Sequence, residues 1–438
     1  METIKFNLSN RGGAFKILNA TNGGPWYRKS ATSQNRSNLE AYKAARIPYA
    51  RNHDSAMCGV YGGPYSHDIS NIFPNPEADP LLPESYDFAC TDDSILSCLE
   101  AGTETYFRLG QTIEHHIKKH NTFPKMDFKK WAVVCEHIIR HYNEGWADGY
   151  HLNIKYWEIW NEPDLGSENP ATSKTWGGTI EQFYDFFATV AVYLKECFPN
   201  IKVGGPALSH KEEWADGFVA EMKRRNVPLD FFTWHRYTGR VGRIIENSEY
   251  IKDLLVRYGY TDTESHLNEW NYLKGWKGDD FQATVNAIHG MKGAAFMMAI
   301  ICAAQDSTID MLMYYDTRPS AFCGAFDMYN YQPLKGYYPL YWYGMFYDMV
   351  AEIKAENKID DVYSLCGVDK DGKVLSVLCY YTNEEDTAEN KSVKVDLGKE
   401  GKYEVYLLDE NHTNELVATT SDLTFTLIPN SCILIKEI

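Results

Sequence analysis

Eight short apolar segments recur along the chain, and segments with helical periodicity lie between most of them. The predicted strands occupy residues 15–21, 46–53, 103–110, 153–163, 201–208, 229–237, 265–272 and 308–316. Amphipathic helices are predicted over residues 127–143, 180–197, 211–225, 243–258 and 281–304. This alternation is typical of an α/β fold of the (β/α)8 TIM barrel type, and 438 residues leave room for one. The alternative, a doubly wound open sheet, usually begins with a Gly-rich phosphate loop, but no G-x-G-x-x-G follows the first strand.

The pattern changes after residue 356, where short alternating strands are separated by turn clusters such as DKDG and DENHTN. We therefore predict a catalytic barrel over residues 13–356 and a small C-terminal antiparallel β-sandwich domain over residues 357–438. Residues 1–12 contain the strand-like segment TIKFNL, which could pair into the same sandwich.

The overall charge limits the possible partners. A net charge of −17 repels nucleic acid phosphates and anionic lipid, so we expect neither a nucleic acid nor a membrane partner. The longest apolar run, residues 293–304, is too short to span a bilayer and predicts a buried helix. The N-terminus lacks the basic and apolar regions of a secretory signal, so we expect a cytoplasmic protein unless a signal has been removed.

The segment YWEIWNEPDL, residues 156–165, contains two glutamates and covers the end of the fourth predicted strand. Side chains alternate along a strand, so Glu158, Trp160 and Glu162 are predicted to share one face. Pro163 cannot continue the hydrogen-bond ladder and is expected to end the strand there. Glu162 would then lie at the carboxyl end of the barrel, where barrel enzymes carry their active sites.

A second carboxylate, Glu269, ends the seventh predicted strand in the same way. Two carboxylates that face each other across a barrel mouth suit glycosidic bond cleavage, in which one is protonated and the other attacks from roughly 5 Å away. His235 and Tyr237 end the neighbouring sixth strand and are expected to reach Glu269, while the Asn161 amide suits a sugar hydroxyl. This chemistry requires no metal and no organic cofactor.

Several segments resemble a known family. WEIWNEPD with Glu162, together with NEW around Glu269, resembles the glycoside hydrolases of clan A, which carry the acid/base and the nucleophile on strands four and seven. YARNHD at residues 49–54 and the Asp- and Pro-rich segment at residues 72–110 resemble family 39, which includes β-xylosidases and α-L-iduronidases. Asn268 precedes the nucleophile, where threonine is common in the family.

The resemblance implies a role for each candidate site residue. Glu162 would be the acid/base and Glu269 the nucleophile, with Asn161 bound to the sugar 2-hydroxyl. His53 and His235 would line the −1 subsite, and Tyr237 would orient the nucleophile.

We therefore expect a retaining, exo-acting β-xylosidase that acts on an oligosaccharide or glycoside. The alternatives are an α-L-arabinosidase, an α-L-iduronidase, an endo-acting glycanase or a non-catalytic carbohydrate-binding protein, and an oligomer is possible. Glu158 is expected to be a buried partner of Arg51 or Arg108 rather than a third catalytic acid. His137 and His141 are expected on a solvated helix face rather than at a metal site.

Overall fold

The computed structural model describes residues 1–26, 37–52, 67–111, 119–209, 211–320 and 322–438. His53 and residues 54–66 of the long connection after the second barrel strand lie outside these ranges.

A closed barrel of eight parallel strands forms the larger part of the chain, which confirms the predicted TIM barrel. The N-terminal strand β1 (Glu2–Arg11) lies outside it. The barrel strands are β2 (Ile17–Asn22), β3 (Tyr49–Arg51), β4 (Glu104–Leu109), β5 (Tyr156–Ile159), β6 (Lys202–Leu208), β7 (Phe231–Tyr237), β8 (Glu264–Asn271) and β9 (Met311–Tyr314). Each of the eight predicted strand segments contains or overlaps one of them, because buried parallel strands are nearly continuous apolar runs.

Helices connect these strands and surround the barrel. They are α1 (Leu39–Ala45), α2 (Ile69–Ile72), α3 (Ala89–Glu100), α4 (Phe128–Glu144), α5 (Ile180–Cys197), α6 (Glu212–Arg224), α7 (Val241–Arg257), α8 (Gly278–His289), α9 (Met291–Gln305) and α10 (Tyr337–Met345). The sequence signals the starts of two of them: Asp127 caps α4, and Thr179 with Gln182 forms a capping box on α5.

The segment predicted as a single helix over residues 281–304 is two helices, α8 and α9, which meet at an angle of 73°. Gly290 separates them in an extended conformation. A side chain at Gly293 would lie 2.7 Å from the Ala287 carbonyl oxygen, so the close approach of the two helices requires glycine there.

A second, nine-stranded sheet follows the barrel and includes β1. Its C-terminal strands are β10 (Ala351–Ala355), β11 (Val362–Val368), β12 (Val374–Tyr380), β13 (Lys391–Asp396), β14 (Tyr403–Leu408), β15 (Thr413–Thr420), β16 (Thr424–Leu427) and β17 (Ser431–Glu437). The strand order is β15-β14-β17-β12-β11-β10-β1-β13-β16. The sheet is mixed rather than purely antiparallel, because β1 pairs with β13 in parallel and with β10 in antiparallel orientation. Strands from both ends of the order contribute to one apolar core, as in a sandwich.

Helix α9 joins the two parts of the molecule. It is apolar on all sides because one side packs on the barrel and the other on β11, β12 and β17. The predicted burial of residues 293–304 is thereby confirmed. Among the described residues no single helix is long and apolar enough to cross a membrane, and only the bent pair α8–α9 reaches that length and composition.

The sheet domain also holds a loop at the barrel mouth. The Tyr381 hydroxyl and the Asn383 amide both donate to the Gly239 carbonyl oxygen, each at 2.5 Å. Gly239 follows Tyr237 by two residues, so the second domain fixes the segment that leaves the carboxyl end of β7.

His137 and His141 on α4 are buried, so the predicted solvated helix face is wrong. The His141 ring stacks on Phe88 with a centroid distance of 3.6 Å, and its Nε2 lies 3.2 Å from an Asp92 carboxylate oxygen. The segment leading into α3 covers this face of α4, and the histidines serve as aromatic packing residues.

Candidate active site

The carboxyl end of β5 is built on two left-handed residues. The strand ends at Ile159, and Trp160 and Glu162 follow with φ of 71° and 46°. The indole of Trp160 therefore turns away from the barrel axis and packs on Trp176 and Phe186, at centroid distances of 5.3 and 5.4 Å. The prediction that Trp160 shares a face with Glu158 and Glu162 is wrong for this reason.

Hydrogen bonds on both sides hold the Glu162 backbone in this conformation. Its N–H donates to the Ala207 carbonyl oxygen at 2.9 Å, and its own carbonyl oxygen accepts from the Thr175 hydroxyl at 2.6 Å. Pro163 then begins a 3-10 turn, Pro163–Leu165, for which its fixed φ is suited. A non-glycine residue held left-handed costs about 1–2 kcal/mol, which the surrounding contacts offset.

Glu162 and Glu269 face each other across the barrel mouth, where they are 6% and 4% exposed. His235 lies between them, with Nδ1 2.8 Å from Glu162 Oε1 and 3.4 Å from Glu269 Oε2. One nitrogen or oxygen atom from each of the three residues lies within 4.8 Å of the other two. Retaining glycosidases need carboxyl groups about 5–5.5 Å apart, whereas inverting enzymes need about 6.5–9.5 Å to admit a water, so this spacing fits retention.

A single buried guanidinium, Arg51, organises the base of the site. Its Nη1 donates to Glu269 at 2.7 Å and its Nε to Glu158 at 2.6 Å. Its remaining contacts are with Asn22 Oδ1 at 3.0 Å and Asn161 Oδ1 at 2.8 Å. The predicted pairing of Glu158 with Arg51 is confirmed, and Glu158 is left as a structural counter-ion.

Asn268 completes the shell around Glu158. Its amide donates to Glu158 Oε1 at 2.6 Å, and its backbone carbonyl oxygen accepts from the Asn22 amide at 2.7 Å. The residue that differs from the common family threonine therefore supports the counter-ion, and these two hydrogen bonds go to Glu158 and Asn22 rather than to the opposed carboxyl groups.

Two different environments surround the opposed carboxyl groups. Burial raises the pKa of Glu162 to about 8, and the Asp164 carboxylate adds to this rise while Arg51 opposes it. Burial also raises the pKa of Glu269, but His235 and Arg51 lower it, and Glu162 raises it further. Two carboxylates this close share a proton. Because the guanidinium donates to Glu269, that proton is best placed on Glu162.

Asp164 is held beside the site by the segment that follows β6. It accepts from the Ser209 N–H at 2.9 Å, the Ser209 hydroxyl at 2.7 Å and the Lys211 N–H at 3.3 Å. These donors fix a second negative group near Glu162 and thereby favour the protonated form of Glu162.

Neutral donors complete the site. Burial lowers the pKa of His235 to about 4, although the charge of Glu269 acts to raise it. The His235 ring is therefore neutral near pH 7. Burial and the neighbouring Glu269 raise the pKa of Tyr237 far above its usual range. The Tyr237 hydroxyl therefore remains a donor, and it donates to Glu269 Oε2 at 2.9 Å.

Two buried polar atoms of the predicted substrate-binding residues have no hydrogen-bond partner among the described residues. They are Asn161 Nδ2 and His235 Nε2. Arg51 binds the other end of the Asn161 amide, so its Nδ2 is oriented although unpaired. A buried group of this kind costs about 1–3 kcal/mol unless a ligand satisfies it, and sugar hydroxyls are suitable partners.

Glu162, His235 and Glu269 have the spacing of a three-ligand metal site. Glu269, however, already accepts from Arg51 and Tyr237, and a cation bound here would lie close to the guanidinium. The donor set therefore suits proton sharing better than metal binding.

The structure brings together Asn161, Glu162, His235, Tyr237 and Glu269, whereas His53 lies outside the described residues. Sequence reasoning missed the contact of Arg51 with Glu269 and the position of Asp164. The signal for Arg51 was available, because an arginine that ends a barrel strand lies at the same edge as the carboxylates.

Comparison with known proteins assigns the chain to a family. A β-xylosidase of Caldicellulosiruptor saccharolyticus is 27% identical over 193 residues, which are 40% of this chain and 36% of that protein. A β-xylosidase of Geobacillus stearothermophilus is 22% identical over 284 residues, 58% of this chain and 52% of that protein. The matched segments thus span about half or less of these relatives.

A glucosidase from Croceicoccus marinus has the same fold, with a TM-score of 0.79, 21% identity, and coverage of 100% of this chain and 98% of that one. The sequence profile of "Glycosyl hydrolases family 39" matches residues 81–418, which is most of the chain. This chain belongs to glycosyl hydrolase family 39.

Proposed function

We propose that this protein is a retaining, exo-acting glycosidase of the β-xylosidase type. The observation that carries the proposal is the pair Glu162 and Glu269, opposed within 4.8 Å, of which Glu269 accepts from Arg51 and Tyr237. The β-xylosidase activity of the two matched curated relatives supports the choice of sugar. The deep burial of both carboxyl groups supports a pocket for a terminal sugar rather than an open cleft for a polymer.

The first step uses the unequal protonation of the pair. Glu269 attacks the anomeric carbon and forms an ester bond, while the glycosidic bond breaks and its electron pair goes to the leaving oxygen. Glu162 gives its proton to that oxygen as general acid. Arg51 and Tyr237 hold the attacking carboxylate in line by their hydrogen bonds to opposite oxygens.

In the second step a water replaces the leaving group. Glu162, now ionised, takes a proton from this water as it attacks the anomeric carbon, and the ester bond to Glu269 breaks. The sugar leaves with its original configuration, and both glutamates return to their starting states. The unpaired Asn161 Nδ2 is proposed to bind the sugar 2-hydroxyl, with His235 and His53 lining the same subsite.

A screen of nitrophenyl glycosides tests the activity and the sugar together. We expect the highest kcat/KM on the β-D-xyloside. Higher turnover of an α-L-arabinoside, α-L-iduronide or β-glucoside would transfer the proposal to that sugar. Failure to hydrolyse any glycoside would favour a non-catalytic carbohydrate-binding protein.

The roles of the two glutamates are tested by azide rescue. Glu269→Gly and Glu162→Gly should each lose activity by orders of magnitude, and azide should restore part of it on an activated aryl glycoside. Without its nucleophile the enzyme should release a glycosyl azide of inverted configuration. Without its acid/base it should release one of retained configuration, because azide then attacks the ester. The opposite stereochemistry would exchange the two roles.

A further inference from the structure

An exposed aromatic cluster stands at the barrel mouth, beyond the residues used in the mechanism. We call it the rim cluster and define it as Trp276, Phe281 and Phe322. Trp276 is 57% exposed and Phe281 37% exposed. The three rings are nearly parallel, with interplanar angles of 6° to 22° and centroid distances of 6.0 to 6.5 Å.

The rim cluster is continuous with the catalytic pair through Tyr237. The Tyr237 ring meets Trp276 edge-on at 5.2 Å and Phe322 at 6.0 Å. Its hydroxyl donates to Glu269 Oε2 at 2.9 Å. A path of aromatic surface therefore runs from the proposed nucleophile to solvent, along the ends of β8 and β9.

Core packing does not account for Trp276. Six other tryptophans of the described residues are less than 2% exposed, whereas Trp276 is 57% exposed. A cluster of exposed aromatic rings beside a pocket marks a contact surface.

The loop that carries Trp276 is anchored. Lys274 and Gly275 both donate their N–H groups to the Thr284 hydroxyl on α8, at 2.9 and 3.3 Å. A side chain at Gly275 would lie 2.8 Å from Asp280 Cβ, so the turn is tight. The indole is thus held in place before any ligand arrives, which reduces the entropy lost on binding.

We propose that the rim cluster is the leaving-group site, a platform for a six-membered ring with an apolar face. This inference rests on the proposed exo-glycosidase function. When the terminal sugar fills the buried pocket, the leaving group is the part of the substrate that projects past Tyr237. An aryl aglycone and the C–H face of a second sugar ring both suit stacking on aromatic rings.

The test compares leaving groups in Trp276→Ala and Trp276→Phe, with the sugar found by the nitrophenyl screen. The ring-bearing substrates are the disaccharide and the nitrophenyl glycoside, and the matched control is the glycosyl fluoride, whose leaving group has no ring. In Trp276→Ala we expect kcat/KM to fall roughly 10-fold on the ring-bearing substrates and to stay within about twofold on the fluoride. Trp276→Phe should recover most of the loss. A larger loss on the disaccharide identifies a sugar ring as the ligand, and a larger loss on the nitrophenyl glycoside identifies an aryl group.

Equal losses on the fluoride and on the ring-bearing substrates would overturn the inference, because Trp276 would then act on the pocket or the fold. No loss on any substrate would overturn it as well. If the unaltered protein hydrolyses no glycoside, the proposed function fails separately. The platform is then tested by titration of tryptophan fluorescence with xylobiose and phenyl xyloside. A saturable change that Trp276→Phe abolishes supports the site, and its absence rejects it.

Discussion

The two ends of the barrel interior are both buried, but they differ in chemistry. At the amino end, Tyr106 stacks on Tyr156 at 5.1 Å and His266 stacks on Phe231 at 5.2 Å. The Tyr106 hydroxyl lies 3.1 Å from His266 Nδ1, which closes the layer with a hydrogen bond. This end is a packed aromatic layer in which each of these polar side chains has a protein partner.

The carboxyl end is a charged network that leaves polar atoms for a ligand. Arg51 holds Glu158 and Glu269, while Asn161 Nδ2 and His235 Nε2 have no partner among the described residues. The arrangement costs stability, since unpaired polar groups and opposed carboxyl groups are buried together. The contrast shows where the fold gives up stability, which is expected of a functional site.

The pKa values of two glutamates, one at each end of the barrel, show the difference between the two environments. Although burial opposes it, hydrogen bonds and charge from His266 and Lys202 lower the pKa of Glu264 to about 2. Burial and Asp164 raise the pKa of Glu162 to about 8. One end of the barrel therefore keeps a carboxylate ionised, and the other end keeps a carboxyl group protonated near neutral pH, as the proposed acid catalysis requires.

The largest expected effect comes from Glu162→Gln. We expect kcat/KM to fall by roughly 10²–10⁴ on glycosides with poor leaving groups, because the proposed general acid is lost, and by less on activated leaving groups. In the unaltered enzyme the alkaline limb of kcat/KM should lie near pH 8, where Glu162 loses its proton. Steady-state kinetics measured across pH tests the alkaline limb. The same measurement on aryl glycosides whose leaving phenols differ in acidity tests the dependence on the leaving group.

The same substitution should increase stability at alkaline pH. The folded protein keeps a proton on Glu162 up to about pH 8, whereas the unfolded chain releases it near 4.5. The folded state therefore binds more protons between these values, and its stability falls as pH rises through this window. Glutamine removes that loss, so urea unfolding at pH 5 and pH 9 should show the larger relative gain at pH 9. If Glu162→Gln is less stable than the unaltered protein at pH 9, the raised pKa assigned to Glu162 is contradicted.

The second prediction compares the stability lost when a cationic side chain is removed from each end of the barrel. Arg51→Met leaves Glu158 and Glu269 buried without their guanidinium and should cost about 3–5 kcal/mol in the free energy of unfolding. Lys202→Met removes a partner of Glu264 that is 28% exposed, and should cost about 1 kcal/mol or less. Chemical denaturation of both variants measures the difference. Equal costs would mean that the charged network does not depend on Arg51.

Much of this architecture follows from the sequence because it depends on local patterns. The eight barrel strands are apolar runs, and Glu162, Glu269, His235 and Tyr237 each follow or end such a run. Since strand ends meet at one rim, the position of these side chains along their strands was enough to bring them together.

The features that the sequence did not predict depend on contacts distant in the chain or on backbone conformation. Arg51 reaches Glu269 across 218 residues, and no local pattern specifies that pairing. Trp160 leaves the strand alternation because its φ is positive, which neither its residue type nor its neighbours indicate. His141 is buried because a distant segment covers α4.

The smallest expected effects come from two substitutions that each remove one tyrosine hydroxyl, one at each end of the barrel. Because the chemical change is the same, they give the most direct comparison of the two ends. Tyr106→Phe deletes the 3.1 Å contact with His266 and should cost about 1 kcal/mol of stability with no change in kcat. Tyr237→Phe deletes the 2.9 Å hydrogen bond to Glu269. The proposed mechanism requires the Glu269 carboxylate to be ionised and oriented toward the anomeric carbon. Loss of this hydrogen bond should therefore lower kcat roughly 10- to 100-fold, while the free energy of unfolding changes little.

Thermal unfolding and steady-state kinetics on the same two preparations measure both quantities, and each variant is the control for the other. If Tyr106→Phe lowers kcat as much as Tyr237→Phe does, the amino end of the barrel is coupled to the site and is not a passive layer. If Tyr237→Phe mainly lowers stability, its hydroxyl belongs to the packing of the mouth, and the orientation of Glu269 rests on Arg51 alone.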